Sequence, residues 1–213
     1  MNVAGLVLAA GEGRRFGGPK ALASHGGQRL VDRAVGVLRD GGCEPIVVVS
    51  GAAALDVPGA AVVHNPGWAE GLGSSLRVGL AWLPADADAV AIVLVDQPAI
   101  GAESVRRLRA ALDRGAQVAV ATYEGQRGHP VLFARGHWDE VARMATGDSG
   151  ARAFMRAYPE LVVEVPCDDT GSAVDVDTPE DLSGLANRVR AGVHGNRSAN
   201  AGPELNGQDE LGS

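Results

Sequence analysis

Short, nearly uninterrupted apolar runs, each followed by a stretch of helical periodicity, constrain this chain more than any other feature. Val3–Leu8, Ile46–Ser50, Ala61–His64 and Ala89–Val95 show no polar alternation. Strands with that pattern are covered on both faces, so their sheet lies between two helical layers. Val118–Thr122, Val131–Phe133, Leu161–Val165 and Val174–Val176 are further strand candidates. Between them Leu30, Val31, Ala34, Val35 and Leu38 form one helical stripe, and Leu76, Leu80 and Leu83 a second. Val105, Leu108 and Leu112 give a third, and Trp138, Val141, Ala142 and Ala145 a fourth. Thr178-Pro179-Glu180-Asp181 predicts a helix start, with Thr as N-cap, Pro at N1 and acids in the first turn. The alternation predicts an α/β domain with a mainly parallel sheet. A chain of 213 residues fits one domain, expected over residues 1–190. From Asn187 onward Gly, Asn and Ser replace apolar residues, and 191–213 are expected to form a disordered tail.

Charge narrows the function. A formal net charge of −7 argues against non-specific nucleic-acid binding, which depends on neutralising phosphates. The start, Met1-Asn2-Val3-Ala4-Gly5-Leu6, has neither a basic segment nor a long apolar run, so no membrane association and a cytoplasmic location are expected. Cys43 and Cys167 lie far apart and outside any metal-binding spacing, as spare thiols in a reducing compartment would. Of the 19 Lys and Arg, only Lys20 is a lysine, and it stands in the most glycine-rich stretch of the N-terminal region.

That stretch, Leu8-Ala9-Ala10-Gly11-Glu12-Gly13-Arg14-Arg15-Phe16-Gly17-Gly18-Pro19-Lys20, follows the first strand directly. Glycines let backbone N–H groups converge on an anion, and Arg15 and Lys20 add full positive charge, which suits a triphosphate. It is not a Walker A loop, because Gly18 is followed by Pro19-Lys20-Ala21. Nor is it a dinucleotide fingerprint, because after Gly11 and Gly13 the next glycine is Gly17, and Gly17-Gly18-Pro19 prevents an immediate helix. Asp96 follows the Ala89–Val95 run and is expected at the carboxyl end of a central strand, where open α/β sheets place ligands. A carboxylate there suits Mg²⁺, which takes one or two protein carboxylates plus phosphate oxygens, although an N-cap for the next helix is the alternative. Asp175 and Asp177 flank Val176 and would point to one side of an extended segment; either could complete the metal site, with Asp177 preferred. Ser74 or Ser75 reads as an N-cap of the helix containing Leu76, in a loop that also stands to contact the nucleotide or its acceptor.

The motif Leu-Ala-Ala-Gly-x-Gly-x-Arg-Phe-Gly-x-Pro-Lys resembles the signature of the molybdenum-cofactor nucleotidyltransferases, the MobA/MocA-like family. Asp96-Gln97-Pro98, Asp175-Val176-Asp177-Thr178-Pro179-Glu180-Asp181 and Asn65-x-x-Trp68-x-x-Gly71-x-x-Ser74-Ser75 resemble further motifs of that family. So do Gly128-His129-Pro130 and the segment Gly147 to Arg152, on the side expected to receive the acceptor, with His129 equally readable as a structural histidine. The resemblance runs from Val3 to about Leu182. It implies a three-layer α/β/α sandwich, the Rossmann-like nucleotidyltransferase fold. It also implies nucleotide contacts by Leu8, Ala9, Ala10, Gly11, Gly13, Arg15, Lys20, Ser74 and Ser75, with Arg15, Lys20 and Asp96 serving transfer. Arg14 falls at a variable position and is expected to be solvated. The Ala9-Ala10-Gly11 form resembles the cytidine-using branch, so the expected reaction passes CMP from CTP to a molybdopterin-type phosphate, with Mg²⁺ bound and pyrophosphate released. Transient contact with a molybdoenzyme or its chaperone is implied as well. The rivals are cytidylyl transfer to a polyol or sugar phosphate, an NAD(P)H-dependent reductase like the nicotine blue oxidoreductase branch, and a nucleotide-binding chaperone without turnover.

Overall fold

The apolar runs become strands whose side chains divide by parity between two cores. In β1 (Val3–Leu8), buried throughout, Val3 and Val7 enter one core while Ala4, Leu6 and Leu8 enter the other. The computed structural model describes residues 1–185; the expected tail and the end of the expected domain lie outside the described residues. After β1 come a short ribbon of β2 (Ser24–His25) and β3 (Gln28–Arg29), α1 (Leu30–Asp40), β4 (Ile46–Ser50), β5 (Ala61–His64), α2 (Leu72–Trp82) and β6 (Ala89–Leu94). Then follow α3 (Ala102–Asp113), β7 (Val118–Tyr123), β8 (Gln126–Ala134), α4 (Trp138–Met144), α5 (Arg152–Ala157), β9 (Val162–Pro166) and a helix, α6, over residues 179–185.

Seven strands form one sheet in the order β5-β4-β1-β6-β8-β7-β9. Only β8 pairs antiparallel to its neighbours within that sheet. α1, α3 and α6 supply Leu30, Leu38, Leu108 and Leu182 to the core on one face. On the other face α2, α4 and α5 supply Leu76, Leu80, Trp138 and Phe154. The result is the three-layer α/β/α sandwich of a Rossmann-like fold. Each such side chain, fully buried, contributes about 1.5–3 kcal/mol of transfer free energy. From β1 the chain builds outward through β4 and β5, then returns at β6 on the opposite side of β1. The strand order therefore reverses between β1 and β6, which is where open α/β sheets bind ligands beyond their carboxyl ends.

Several elements differ from the sequence-based expectation. β5 is an edge strand with Ala61, Val62 and His64 exposed, so its apolar run is not covered on both faces. β8 extends well before Val131, because Glu124 and Gly125 both take positive φ and make a tight hairpin turn. Its ladder shifts register between Val120 and Ala121, leaving His129 and Pro130 unmatched, so the missing proline N–H costs no ladder bond. Residues 174–176 form no strand; the Val176 N–H donates instead to the Asp96 carbonyl at 2.8 Å, docking the segment across the end of β6. α2 begins at Leu72 with Gly71 (φ 105) as its N-cap, so Ser74 and Ser75 lie inside the helix and neither caps it. A Cβ at Gly71 would lie 2.6 Å from the Gly147 carbonyl carbon, so only glycine admits both the conformation and the contact.

Gly79 holds α2 close against the sheet: a Cβ there would lie 2.6 Å from Leu6 Cδ1 and 3.0 Å from Val49 Cγ2. Alanine is normally the better helix residue by about 1 kcal/mol. Gly79→Ala is nevertheless expected to lower the urea midpoint, because Leu6 and Val49 are fully buried and have no room to yield. A raised midpoint would contradict that packing.

Candidate functional site

The first two strands at the switch point deliver the site. Ala9 N–H donates to the Val49 carbonyl at 3.0 Å, and Val95 N–H to the Leu8 carbonyl at 3.2 Å, fixing where the chain leaves β1. The loop then closes on itself. The Gly13 carbonyl accepts the N–H groups of Phe16, Gly17 and Gly18 at 2.9–3.1 Å, with Gly13 at φ 65. A Cβ on Gly13 would stand 2.0 Å from the Gly18 carbonyl oxygen. Gly13 is thus required by loop closure, whatever the loop binds. Among the described residues, the N–H groups of residues 10–15 find no protein acceptor, which leaves a run of donors free for an anion.

These residues line an open cleft of about 470 Å³, within the usual range for a small-molecule site. Leu8, Ala10, Gly11, Gly13, Arg15, Lys20, Ser75, Asp96 and Asp177 share it, joined by Trp68, Leu72 and Asp148. Ala9 turns into the core beside α1 and α3. The Ser74 hydroxyl donates to the Gly67 or Gly71 carbonyl at 2.8–2.9 Å, and Asn65 Nδ2 donates to both Ser74 and Ser75. Buried Asn65 therefore braces the loop before α2, and Ser74 belongs to that brace while Ser75 also reaches the cleft.

The charged groups converge on Lys20. Its ammonium lies 2.7 Å from Asp177 Oδ1 and 3.3 Å from Asp96 Oδ2, and Arg15 reaches Asp177 Oδ2 at 3.0 Å. Burial by itself would lower the Lys20 pKa, but the two carboxylates raise it on balance, so it is a cation at neutral pH. Burial raises the Asp96 pKa, with Lys20 opposing that shift, whereas the Lys20 hydrogen bond lowers that of Asp177. Asp96 opens no helix, since the N-cap of α3 is Gly101.

Asp175 and Asp177 do not act as a pair. Asp175 accepts Gln97 Nε2 at 2.8 Å, while Asp177 turns to Lys20 and Arg15. Gln97 Nε2 also donates to the Ala173 carbonyl at 3.1 Å, so this side chain pins the segment that carries Asp177. Behind it, Thr178 and Asp181 cap α6 reciprocally: Thr178 Oγ1 accepts the Asp181 N–H, and the Asp181 carboxylate accepts the Thr178 N–H. Sequence reasoning overlooked Asp148 as a partner of the α2 N-terminus, where it accepts the Leu72 N–H at 3.4 Å. The unusual Gly71 and the neighbouring Gly147 were the available signals. Arg14 is exposed and, among the described residues, pairs with its near neighbour Glu12. His129 is not among the residues lining the cleft.

Two aspartates and no histidine make an oxygen donor set suited to Mg²⁺, which uses one or two carboxylates and takes its other ligands from phosphate and water. Among the described residues no cluster of three or more His, Cys, Asp or Glu is arranged to hold a metal. A sequence profile of the MobA-like NTP transferase domain matches residues 5–162, which span the loop, Ser75 and Asp96. This chain belongs to the MobA-like NTP transferase family. Over 199 residues it is 37% identical to the nicotine blue oxidoreductase of Paenarthrobacter nicotinovorans, covering 84% of this chain and 94% of that protein. Over another 199 it is 34% identical to a molybdenum cofactor guanylyltransferase of Rhizobium leguminosarum bv. trifolii, covering 85% and 90%. Among solved structures, the Rv0371c homologue from Mycobacterium sp. strain JC1 superposes with a TM-score of 0.76 at 31% identity, over 89% of this chain and 97% of that one. Rv0371c of Mycobacterium tuberculosis, solved as a complex with manganese, gives 0.69 at 28% identity over 89% and 100%. A cytidylyltransferase of Thermus thermophilus, at 21% identity and a TM-score of 0.66, shares the fold. Among the described residues of this MobA-like chain, no helix is long and apolar enough to cross a membrane.

Burial, aided by Arg152, pushes the His129 imidazole down to about 4. An unfolded histidine titrates near ~6.5. Between those values the unfolded chain takes up a proton that the folded chain refuses, so stability falls as pH drops through this window and levels off below it. His129→Gln is expected to flatten that part of the stability–pH curve in denaturant titrations. An unchanged slope would contradict the assignment.

Proposed function

We propose that this chain transfers a nucleoside monophosphate from a nucleoside triphosphate to a small phosphorylated acceptor and releases pyrophosphate. The observation that carries this reading is the convergence of Lys20, Asp96 and Asp177 in a cleft bordered by a loop of free backbone donors. The amides of residues 11–15 grip the phosphate chain, and Arg15 and Lys20 offset charge on the α-phosphate and on the departing pyrophosphate. Asp96 and Asp177 would hold a divalent cation, which would supply neutralising charge to the phosphate oxygens. An oxygen of the acceptor phosphate attacks the α-phosphorus, and the bond to the β-phosphate oxygen breaks with its electron pair leaving on pyrophosphate. A phosphate monoester is already anionic near neutral pH, so no proton need be removed and no Ser-His or Cys-His pair is required. The manganese complex of the related Rv0371c protein supports a divalent cation.

For the donor we infer CTP, on the resemblance of Ala9-Ala10-Gly11 to the cytidine-using branch; Ala10 itself lines the cleft. The guanylyltransferase names of relatives at 34–36% identity favour GTP instead. For the acceptor we infer a molybdopterin-type phosphate, with a polyol or sugar phosphate as the rival. A second reading, NAD(P)H-dependent reduction, is favoured by the relative named nicotine blue oxidoreductase. A panel of four nucleoside triphosphates with Mg²⁺, each offered reduced molybdopterin or a polyol or sugar phosphate and scored by pyrophosphate, tests donor and acceptor, and an NADPH oxidation assay tests the second reading. CTP is expected to give the strongest release; stronger release with GTP overturns the donor. NADPH oxidation with a quinone-like dye, without pyrophosphate from any donor, overturns transfer.

Lys20→Ala and Asp96→Asn are each expected to lower turnover by about 10²–10³-fold, the scale for removing one transition-state stabiliser. Asp175→Asn is expected to leave turnover near normal, since Asp175 faces Gln97 and not Lys20. Steady-state pyrophosphate assays check these three beside Asp177→Asn, which is expected to lose turnover on the same scale as Asp96→Asn; equal losses at Asp175 and Asp177 would contradict the division between them.

A further inference from the structure

We propose that Lys20 is a built-in counter-cation, passed between the carboxylates and the triphosphate, so that divalent ion and triphosphate bind with positive cooperativity. The inference rests on the reading of this cleft as a metal–triphosphate site and adds a binding order to it. In this structure the ammonium stands between the two carboxylates that suit a metal, 2.7 Å from Asp177 and 3.3 Å from Asp96. Its side chain is only 14% exposed, against 28% for Asp96 and 34% for Asp177. A divalent ion arriving alone must take oxygens that Lys20 holds, and it leaves a little-exposed ammonium without a partner and beside a like charge. Both consequences oppose binding. A triphosphate arriving alone gains Lys20 only by stripping it from two aspartates, which then repel each other and the phosphates. Arriving together, the ligands exchange partners: the ion takes Asp96 and Asp177, and Lys20 takes phosphate oxygens. Every charge is then paired, and reciprocity requires each ligand to tighten the other by the same factor. Arg15 plays no such part. Its side chain is 76% exposed and, among the described residues, its ion pair is with Asp177, so water screens it and it turns away at little cost.

Mn²⁺ and tripolyphosphate serve as probes, because neither requires the nucleobase or the acceptor. Mn²⁺ binding followed by electron paramagnetic resonance is expected to strengthen by about fivefold or more in Lys20→Met. Arg15→Met removes the same charge and is expected to change it less. Unchanged or weaker Mn²⁺ binding in Lys20→Met, or equal gains in both variants, would overturn the proposal. A second measurement uses the wild type: Lys20 is the chain's only lysine, so lysine labelled with ¹⁵N gives one side-chain ammonium resonance. Titrated against free Mg²⁺, the midpoint of its shift is expected to fall at least fivefold when tripolyphosphate is present. The same midpoint with and without tripolyphosphate would overturn the coupling even if Lys20→Met failed to fold. Neither measurement involves turnover, so failure to release pyrophosphate would reject the proposed reaction and leave this coupling standing.

Discussion

The ion bridge through Lys20 joins three parts of the chain that lie far apart in sequence. Asp96 lies 76 residues away in sequence and Asp177 lies 157 away. β1 and β6 bring the first two together, since they are adjacent parallel strands and both end at the switch point. Asp177 comes by a different route. Its segment is not part of the sheet and is fastened by the Val176 N–H on the Asp96 carbonyl, by Gln97 on Ala173 and Asp175, and by the capped start of α6. Two carboxylates close enough to share one ammonium would repel each other without it. Folding places the base between the acids, which offsets that repulsion.

Around that bridge the site divides its work between fixed and movable charge. The amides of residues 10–15 are set by backbone bonds from β1 to its neighbours and by the Gly13 carbonyl, so they need no reorganisation to meet an anion. Arg15, by contrast, is largely solvated and free to reorient. Lys20 lies between these extremes, buried enough to be held and long enough to change partners. Lys20 and Arg15 together balance Asp96 and Asp177 in formal charge.

The fold was legible because burial wrote itself into the strands and stripes. Val3–Leu8 and Ala89–Val95 are apolar on both faces since helices cover both, and parity alone assigns their side chains to two cores. Legibility failed where local rules gave way to packing. Val174–Val176 has strand-like residues but docks by a single backbone bond, and residues 126–128 look too polar for a strand yet are paired by a tight turn. Ser74 and Ser75 look like caps, but the backbone freedom of Gly71 lets α2 start earlier. In the site, the loop, Lys20 and Asp96 were readable from residue type and position. The separation of Asp175 from Asp177 was not, because it depends on Gln97, whose side chain reaches a segment distant in sequence. The Lys20–Asp177 contact was equally hidden, since charge pairing across that distance leaves no periodic trace.

The most direct test of the whole account is a crystal structure of this protein soaked with Mn²⁺ and a non-hydrolysable nucleoside triphosphate analogue, read by anomalous scattering at the manganese edge. The expected result is a single manganese peak coordinated by Asp96 and Asp177, phosphate oxygens on the amides of residues 11–15, and Lys20 turned onto the phosphate chain. Manganese away from those carboxylates, or phosphates outside the Gly11–Lys20 loop, would contradict it.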